Sequence, residues 1–278
     1  MAYSWSDYMQ KLDRLRTQGA EVFVVGYSVL GRPIYGVFKG DFAGGQVLVQ
    51  AAMHAREGVT VPVVLDMMEN YTGSVGVWCL PMVNPDGVEL VREGISSVDD
   101  EQKRAYVLEV NGGSEDFSLW KANINAVDLN VNFPAKWGTG GQNVIYPSPG
   151  NYIGEYPLSE PESRAVHDFT LKIQPSITLS YHAKGEVIYK GFECADPYPK
   201  LAAEIGEAIG YGVYTSGGSA GGYKDWFVTT TYLPGLTVEV GKSELSYGQL
   251  FAEADNIYAR NAQVLDICAR FVQDILNG

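Results

Sequence analysis

The sequence predicts one α/β domain, with helices on both faces of a sheet, and three observations lead there. Strand-length apolar runs alternate with segments of helical periodicity along the chain. No linker-like stretch, internal repeat or low-complexity tract divides the 278 residues, a length near the upper size for one core. The composition, 46% hydrophobic and 19% charged, is that of a globular protein with a sizeable interior. Residues 1–278 therefore read as a single domain.

Each element has a local justification. Trp5, Tyr8, Met9, Leu12 and Leu15 recur at helical spacing and Gly19 offers a stop. Val22–Val25 and Ile34–Phe38 are β-rich runs joined through Gly31-Arg32-Pro33, a hairpin pattern. Val47–Ala52 is a buried-strand run broken by Met53-His54-Ala55-Arg56-Glu57-Gly58; helical spacing then resumes from Val59 to Glu69, with Pro62 tolerable in the first turn. Val77–Leu80 is another strand, ending in the turn-rich Pro81–Gly87. Residues 92–150 look irregular, and a long loop inside a compact domain is usually functional. A helix should open at Ser159 as N-cap, with Glu162 closing a capping box, and run through Leu171. Ile177–Tyr181 is a strand ending at His182, Tyr198–Ile209 is helical, and Gly217–Gly222 reads as a flexible loop. Leu236–Val240 is a strand carrying Glu239, and Gln249–Leu276 one long helix.

The formal charge of −13 argues against nucleic acid or an anionic membrane as partner. An anionic substrate would need locally placed Lys or Arg. Cys79, Cys194 and Cys268 are too few and too scattered for a disulfide framework or a cysteine-rich metal site. The N-terminal residues have no signal-peptide pattern, and apolar runs fall short of the ~18 residues of a membrane span. The expected location is cytoplasmic; oligomeric state is left open.

The chemistry centres on two histidines. His54 and His182 each follow a strand-like run, and Glu57 stands three residues after His54. In an open α/β sheet, ligands bind at the carboxyl ends of strands. Two imidazoles and one carboxylate make a zinc site with an open position. The spacing is neither HExxH nor HxxEH, so a separate general base is required, and Glu239 is the candidate. A carboxylate in so apolar a strand is costly to bury unless something uses it. His167, in a helical segment, reads as a surface or packing residue.

Several segments, in order, resemble the zinc carboxypeptidases of the carboxypeptidase A type. Gly26–Ile34 is similar to a GxSxxGRxI hairpin, His54-Ala55-Arg56-Glu57 to an HxRE zinc motif, and Asn84-Pro85-Asp86-Gly87 to an NPDG loop. Val127–Phe133 resembles VDLNRNF, Tyr181-His182 the third ligand, and Thr237–Val240 the strand of the catalytic glutamate. The resemblance implies a mixed, mostly parallel twisted sheet, one Zn²⁺ per chain on His54, Glu57 and His182, and Glu239 as general base. It also implies Lys121 as the cation near the scissile carbonyl, Asp128 orienting a ligand imidazole, Asn130 as a substrate contact and Tyr214 as the counterpart of a mobile tyrosine.

Two departures matter. Val131 stands where the family's carboxylate-gripping arginine falls, and Lys121 replaces an arginine, keeping charge without a bidentate fork. With Asn130–Ala135, Gly150–Gly154 and Ser159–Glu162, these features look like a bacterial branch of γ-D-glutamyl-diaminopimelate peptidases. The implied substrate is a peptidoglycan-derived peptide, with Arg56, Lys184, Lys190, Lys224 and Lys136 as available cations for its carboxylates. Two alternatives stand beside it: an ordinary C-terminal metallocarboxypeptidase and a non-catalytic peptide-binding relative.

Overall fold

The computed structural model describes residues 3–192, 198–215 and 220–277. Helix α1 (Trp5–Thr17) starts at a capping box, Ser4 accepting from the Asp7 N–H while the Asp7 carboxylate takes the Ser4 N–H at 2.9 Å. Tyr8, Leu12 and Leu15 make its buried face. The hairpin of β1 (Glu21–Tyr27) and β2 (Pro33–Lys39) follows, then β3 (Asp41–Ala51), α2 (Thr60–Asn70) and β4 (Val75–Leu80). Next come α3 (Pro85–Glu93), α4 (Glu101–Val110), α5 (Pro161–Ile173), β5 (Ile177–His182) and β6 (Val187–Lys190). The described chain ends with α6 (Pro199–Ile209), β7 (Gly212–Thr215), α7 (Tyr223–Thr231), β8 (Gly235–Glu239), the single turn α8 (Tyr247–Leu250), α9 (Ala254–Asn261) and α10 (Val264–Asn277).

The eight strands form one mixed sheet in the order β1-β2-β4-β3-β5-β8-β6-β7. Its centre, β4-β3-β5-β8, is parallel, and β2 and β6 join it antiparallel on either side. Alternation along β3 divides the core: Val47, Val49 and Ala51 face the layer of α1, α2, α6, α9 and α10, while Leu48 faces α5 and α7 with Val166, Trp226 and Phe227. Burial on both faces explains why the run reads as continuously apolar. Because β3 connects to β4 on one side and pairs β5 on the other, their carboxyl ends form a switch point, where such sheets bind ligands.

Several expectations need correcting. Asn84-Pro85-Asp86-Gly87 is a helix start: the Asn84 side chain accepts the Gly87 N–H and Pro85 fills the first turn of α3. Residues 92–150 contain α4, capped by Asp100. Helix α5 begins at Pro161 with Glu160 as N-cap, so Ser159 does not cap it and Glu162 closes no capping box. Glu162 turns inward instead, accepting from the Val29 N–H and the Asn123 amide. The long C-terminal helix is broken after α9, where buried Asn261 accepts from the Tyr181 hydroxyl and donates to the Ile257 carbonyl. Strands β6 and β7, four residues each, were too short to stand out in the pattern. Cys194 and the Gly217–Ser219 part of the expected loop lie outside the described residues. Among the described residues no helix is long and apolar enough to cross a membrane.

Candidate active site

The site is assembled by strand register. His182 is the last residue of β5 and Glu239 the last of β8, and the two are direct Cα partners in the parallel ladder. Neighbouring strands lie roughly 4.8 Å apart, so both side chains leave the sheet at one edge. On the other side of β5, Ala51 pairs with Tyr181, and His54 comes three residues later. Between them Ala52 takes a left-handed φ of 49°, turning the chain sharply out of β3. The Thr60 hydroxyl holds this turn: it accepts from the Ala52 N–H at 3.0 Å and donates to the Glu57 carbonyl at 2.8 Å. Ala55–Glu57 is a single 3₁₀ turn that swings the Glu57 carboxylate back toward His54.

His54, Glu57 and His182 are all buried, and their ligand atoms lie within 4.8 Å of one another. His54 Nδ1 is 2.8 Å from one Glu57 oxygen and His182 Nδ1 2.9 Å from the other, with the two nitrogens 3.1 Å apart. Two imidazole nitrogens and a carboxylate turned to one point suit zinc. His54 Nε2 lies 3.3 Å from Asp128 Oδ1, too skewed for an aligned hydrogen bond but placed as the outer partner of a ligating imidazole. Asp128 is itself fixed by the Asn130 and Asn151 N–H groups and by the Lys121 ammonium at 2.6 Å.

The charges follow from this packing. Burial works to raise the Glu57 carboxyl, but His54 and His182 outweigh it and hold it well below the usual range. Burial likewise opposes ionisation of Asp128, and Lys121 and His54 overcome it. For His54 burial pushes downward and Glu57, with Asp128, reverses it to a net rise. Glu239 goes the other way. Burial lifts it to about 7, Glu57 adding to the rise while His182, Lys121 and Arg56 oppose it. A carboxyl near neutrality beside a paired His–Glu–His cluster is the division expected of a proton carrier next to a charge-bearing site.

The remaining expected residues separate. Arg56 stacks on the Tyr247 ring at 4.8 Å, donates to the Leu119 carbonyl, and has no carboxylate partner among the described residues. Lys184 sits over the same ring at 5.5 Å and donates to the Leu245 carbonyl. Asn130 accepts the Tyr223 N–H at 3.2 Å, at the start of α7. Lys224 is buried against Asp225 and the Gly191 carbonyl, and Lys190 is in register with Leu236, away from the Glu239 end of β8. Tyr214 is not brought to the cluster: it stands on edge strand β7, 56% exposed, its ring against Tyr189. Val131 packs with Val127, Tyr152 and Ile153, so its position offers no cation. Gly221 closes over it, since a Cβ there would meet the Val131 carbonyl oxygen at 2.5 Å. His167 packs on the Trp226 ring beside Asp168, far from any ligand role.

Thr60 and Tyr247 escaped the sequence reading, and Asn151 entered it only within Gly150–Gly154, with no role of its own. Only Asn151 had a signal, since Gly-Asn marks a turn and its φ of 66° is one that Asn tolerates.

The fold and this donor set define a zinc hydrolase of the α/β type. The chain belongs to the zinc carboxypeptidase family, whose pattern matches residues 5–257. It is 35% identical over 265 residues to "Gamma-D-glutamyl-L-diamino acid endopeptidase 1" of Lysinibacillus sphaericus, covering 86% of this chain and 65% of that protein. The chain thus spans just under two thirds of that relative's length. Bovine thrombin-activatable fibrinolysis inhibitor, solved with a tick carboxypeptidase inhibitor, superposes with a TM-score of 0.76 at 19% identity, over 97% of this chain and 95% of that one. The murein-tripeptide amidase MpaA of Escherichia coli O157 gives 0.60 at 22%, over 87% and 91%. These likenesses establish the carboxypeptidase-like fold, and the family uses zinc.

Proposed function

We propose that this chain hydrolyses the γ-D-glutamyl-diaminopimelate amide of peptidoglycan-derived stem peptides, with one zinc ion held by His54, Glu57 and His182. The observation that carries the reaction type is the meeting of that cluster with Glu239 at one sheet edge. When bound, the metal supplies Lewis acidity toward a water and an amide carbonyl. Glu239 takes the proton of the attacking water and passes it to the leaving amine, a task suited to a carboxyl lifted to about 7. Asp128 holds the His54 ring in place. Lys121 already spends one donor on Asp128 and lies 3.3 Å from Asn151 Oδ1, leaving one N–H for the charge developing on the substrate oxygen. Asn130 contacts the substrate beside it, and Arg56 and Lys184 meet substrate carboxylates.

The substrate class is supported by the name of the 35% identical relative. It is also supported by the apolar setting of Val131, which leaves an ordinary terminal carboxylate without its usual grip. Incubation with L-Ala-γ-D-Glu-diaminopimelate peptides of defined length, followed by mass spectrometry, tests the reading. Release of L-Ala-D-Glu is expected, also from peptides with a blocked C-terminus. Stepwise loss of single C-terminal residues, abolished by that block, would instead establish an exopeptidase.

A further inference from the structure

A cavity of about 500 Å³ lies outside the site just described, between α4 and the segment 147–160. Its volume is that of a small-ligand pocket. Tyr106, Tyr152 and Tyr156 line it together with the carboxylates Glu155 and Glu160. Glu160 is 4% exposed and fixed, accepting from the Ser159 hydroxyl and from the Asn123 and Asn125 amides. Glu155 is exposed and pairs with no cation among the described residues. Tyr152 is 9% exposed, and its hydroxyl makes no hydrogen bond among the described residues. Burial first, then the Glu155 and Glu160 charges, push its phenol upward, so both carboxylates bear on this wall.

The cavity already shows how it treats a cation. Lys103, the basic residue in its lining, sets its ammonium 2.5 Å from the Asn125 side-chain oxygen and 5.9 Å from the Tyr106 ring centre. The Asn125 amide links Lys103 to Glu160, so the rest of the lining offers the unpaired Glu155 carboxylate, the Tyr152 and Tyr156 rings and the Tyr152 phenol. An anion would meet repulsion there, whereas an ammonium gains charge-assisted hydrogen bonds and aromatic faces. We infer that this cavity takes an organic ammonium group. It is joined to the catalytic edge by the Tyr152 carbonyl, which accepts the Asp128 N–H at 2.9 Å. Taking the proposed peptidase reading as given, the group is either the N-terminal ammonium of the stem peptide or the side-chain ammonium of its diamino acid.

A binding experiment tests the cavity whether or not the peptidase reading holds. L-alaninamide is titrated into the protein while the Tyr152 and Tyr156 ring resonances are followed by NMR, with N-acetyl-L-alaninamide as the uncharged control. The amine should shift both rings and bind at least about tenfold tighter than the control, an advantage lost in Glu155→Gln and reduced in Tyr152→Phe. Unmoved rings, or equal binding of amine and control, overturn the inference. Kinetics then separate the two sources. Acetylating the relevant amine of the stem peptide should lower kcat/KM by a similar factor, and Glu155→Gln should bring the free-to-capped ratio toward one. If peptides are cleaved and neither cap matters, the cavity does not serve the substrate. If no stem peptide is cleaved, the proposed function fails while the titration still decides the ammonium site.

Discussion

Glu57 and Glu162 are the same residue type, both nearly without solvent contact, yet their carboxyls are driven in opposite directions. Both meet the same desolvation. Glu57 faces two imidazoles and stays ionised. Glu162 receives only neutral donors, the Asn123 amide and the Val29 N–H, and has the Asp86 charge nearby; burial therefore wins and lifts it to about 8. Burial sets the size of the stake and the partners set its sign. Glu239 lies between them, lifted by burial but held back by His182, Lys121 and Arg56.

The sharpest way to break this contrast is to remove each charge while keeping the shape. On the proposed roles, Glu239→Gln should lower kcat by about 10²- to 10⁴-fold while zinc content stays at the wild-type level. Glu57→Gln should lose zinc itself, because one of its three donors is gone. Metal analysis beside turnover separates the cases. A Glu239→Gln protein with full turnover would remove the proton-carrier role, and a fully zinc-loaded Glu57→Gln protein would remove the ligand role.

The second test concerns Glu162. It stays protonated in the fold up to about pH 8, against a reference value of 4.5. Between those values the folded state keeps a proton that the unfolded chain releases, so stability falls as pH rises through that window. The total is on the order of 5 kcal/mol. Glu162→Gln cannot ionise, although its single oxygen serves only one of the two donors, Val29 and Asn123, which bond separate carboxylate oxygens, so the comparison is made on the pH dependence rather than on absolute stability. Urea unfolding at pH 6 and pH 9 should show wild type losing more stability than the variant. Parallel losses in both would mean the carboxyl ionises in the fold at an ordinary pH.

The same contrast shows what the sequence could disclose. The strand-borne His182 and Glu239 were legible because a polar residue ending an apolar run, or a carboxylate set within one, is visible in one dimension. Their meeting is set by register between β5 and β8, which no local pattern encodes. Motif resemblance reached further than periodicity but mixed two kinds of residue. The Arg32 guanidinium donates to Asp86 at 2.7 Å, and the Leu30 N–H does the same, so two of the recognised segments brace each other away from the His–Glu–His cluster. Glu162 fitted a local capping rule that failed because distant partners, Asn123 and Val29, offered its carboxyl a better place. The short strands β6 and β7 carry too few residues to show a period, and Tyr214 stands on the second of them.

The smallest expected effect, and the one that tests how Glu57 is aimed, lies at Thr60. Its hydroxyl bridges the Ala52 N–H and the Glu57 carbonyl, tying the left-handed exit of β3 to the turn that carries the carboxylate. Thr60→Val keeps the shape but strands a buried N–H, which costs about 1–3 kcal/mol. Thr60→Ser restores the hydroxyl and gives up only a methyl group, about 1 kcal/mol by area and less if neighbours close in. If the bridge aims the ligand turn, Val should release zinc to a chelator faster than wild type and Ser should not, even where their losses of stability are similar. Equal zinc release from both variants would reduce Thr60 to a packing residue and leave the aim of Glu57 to the imidazoles alone.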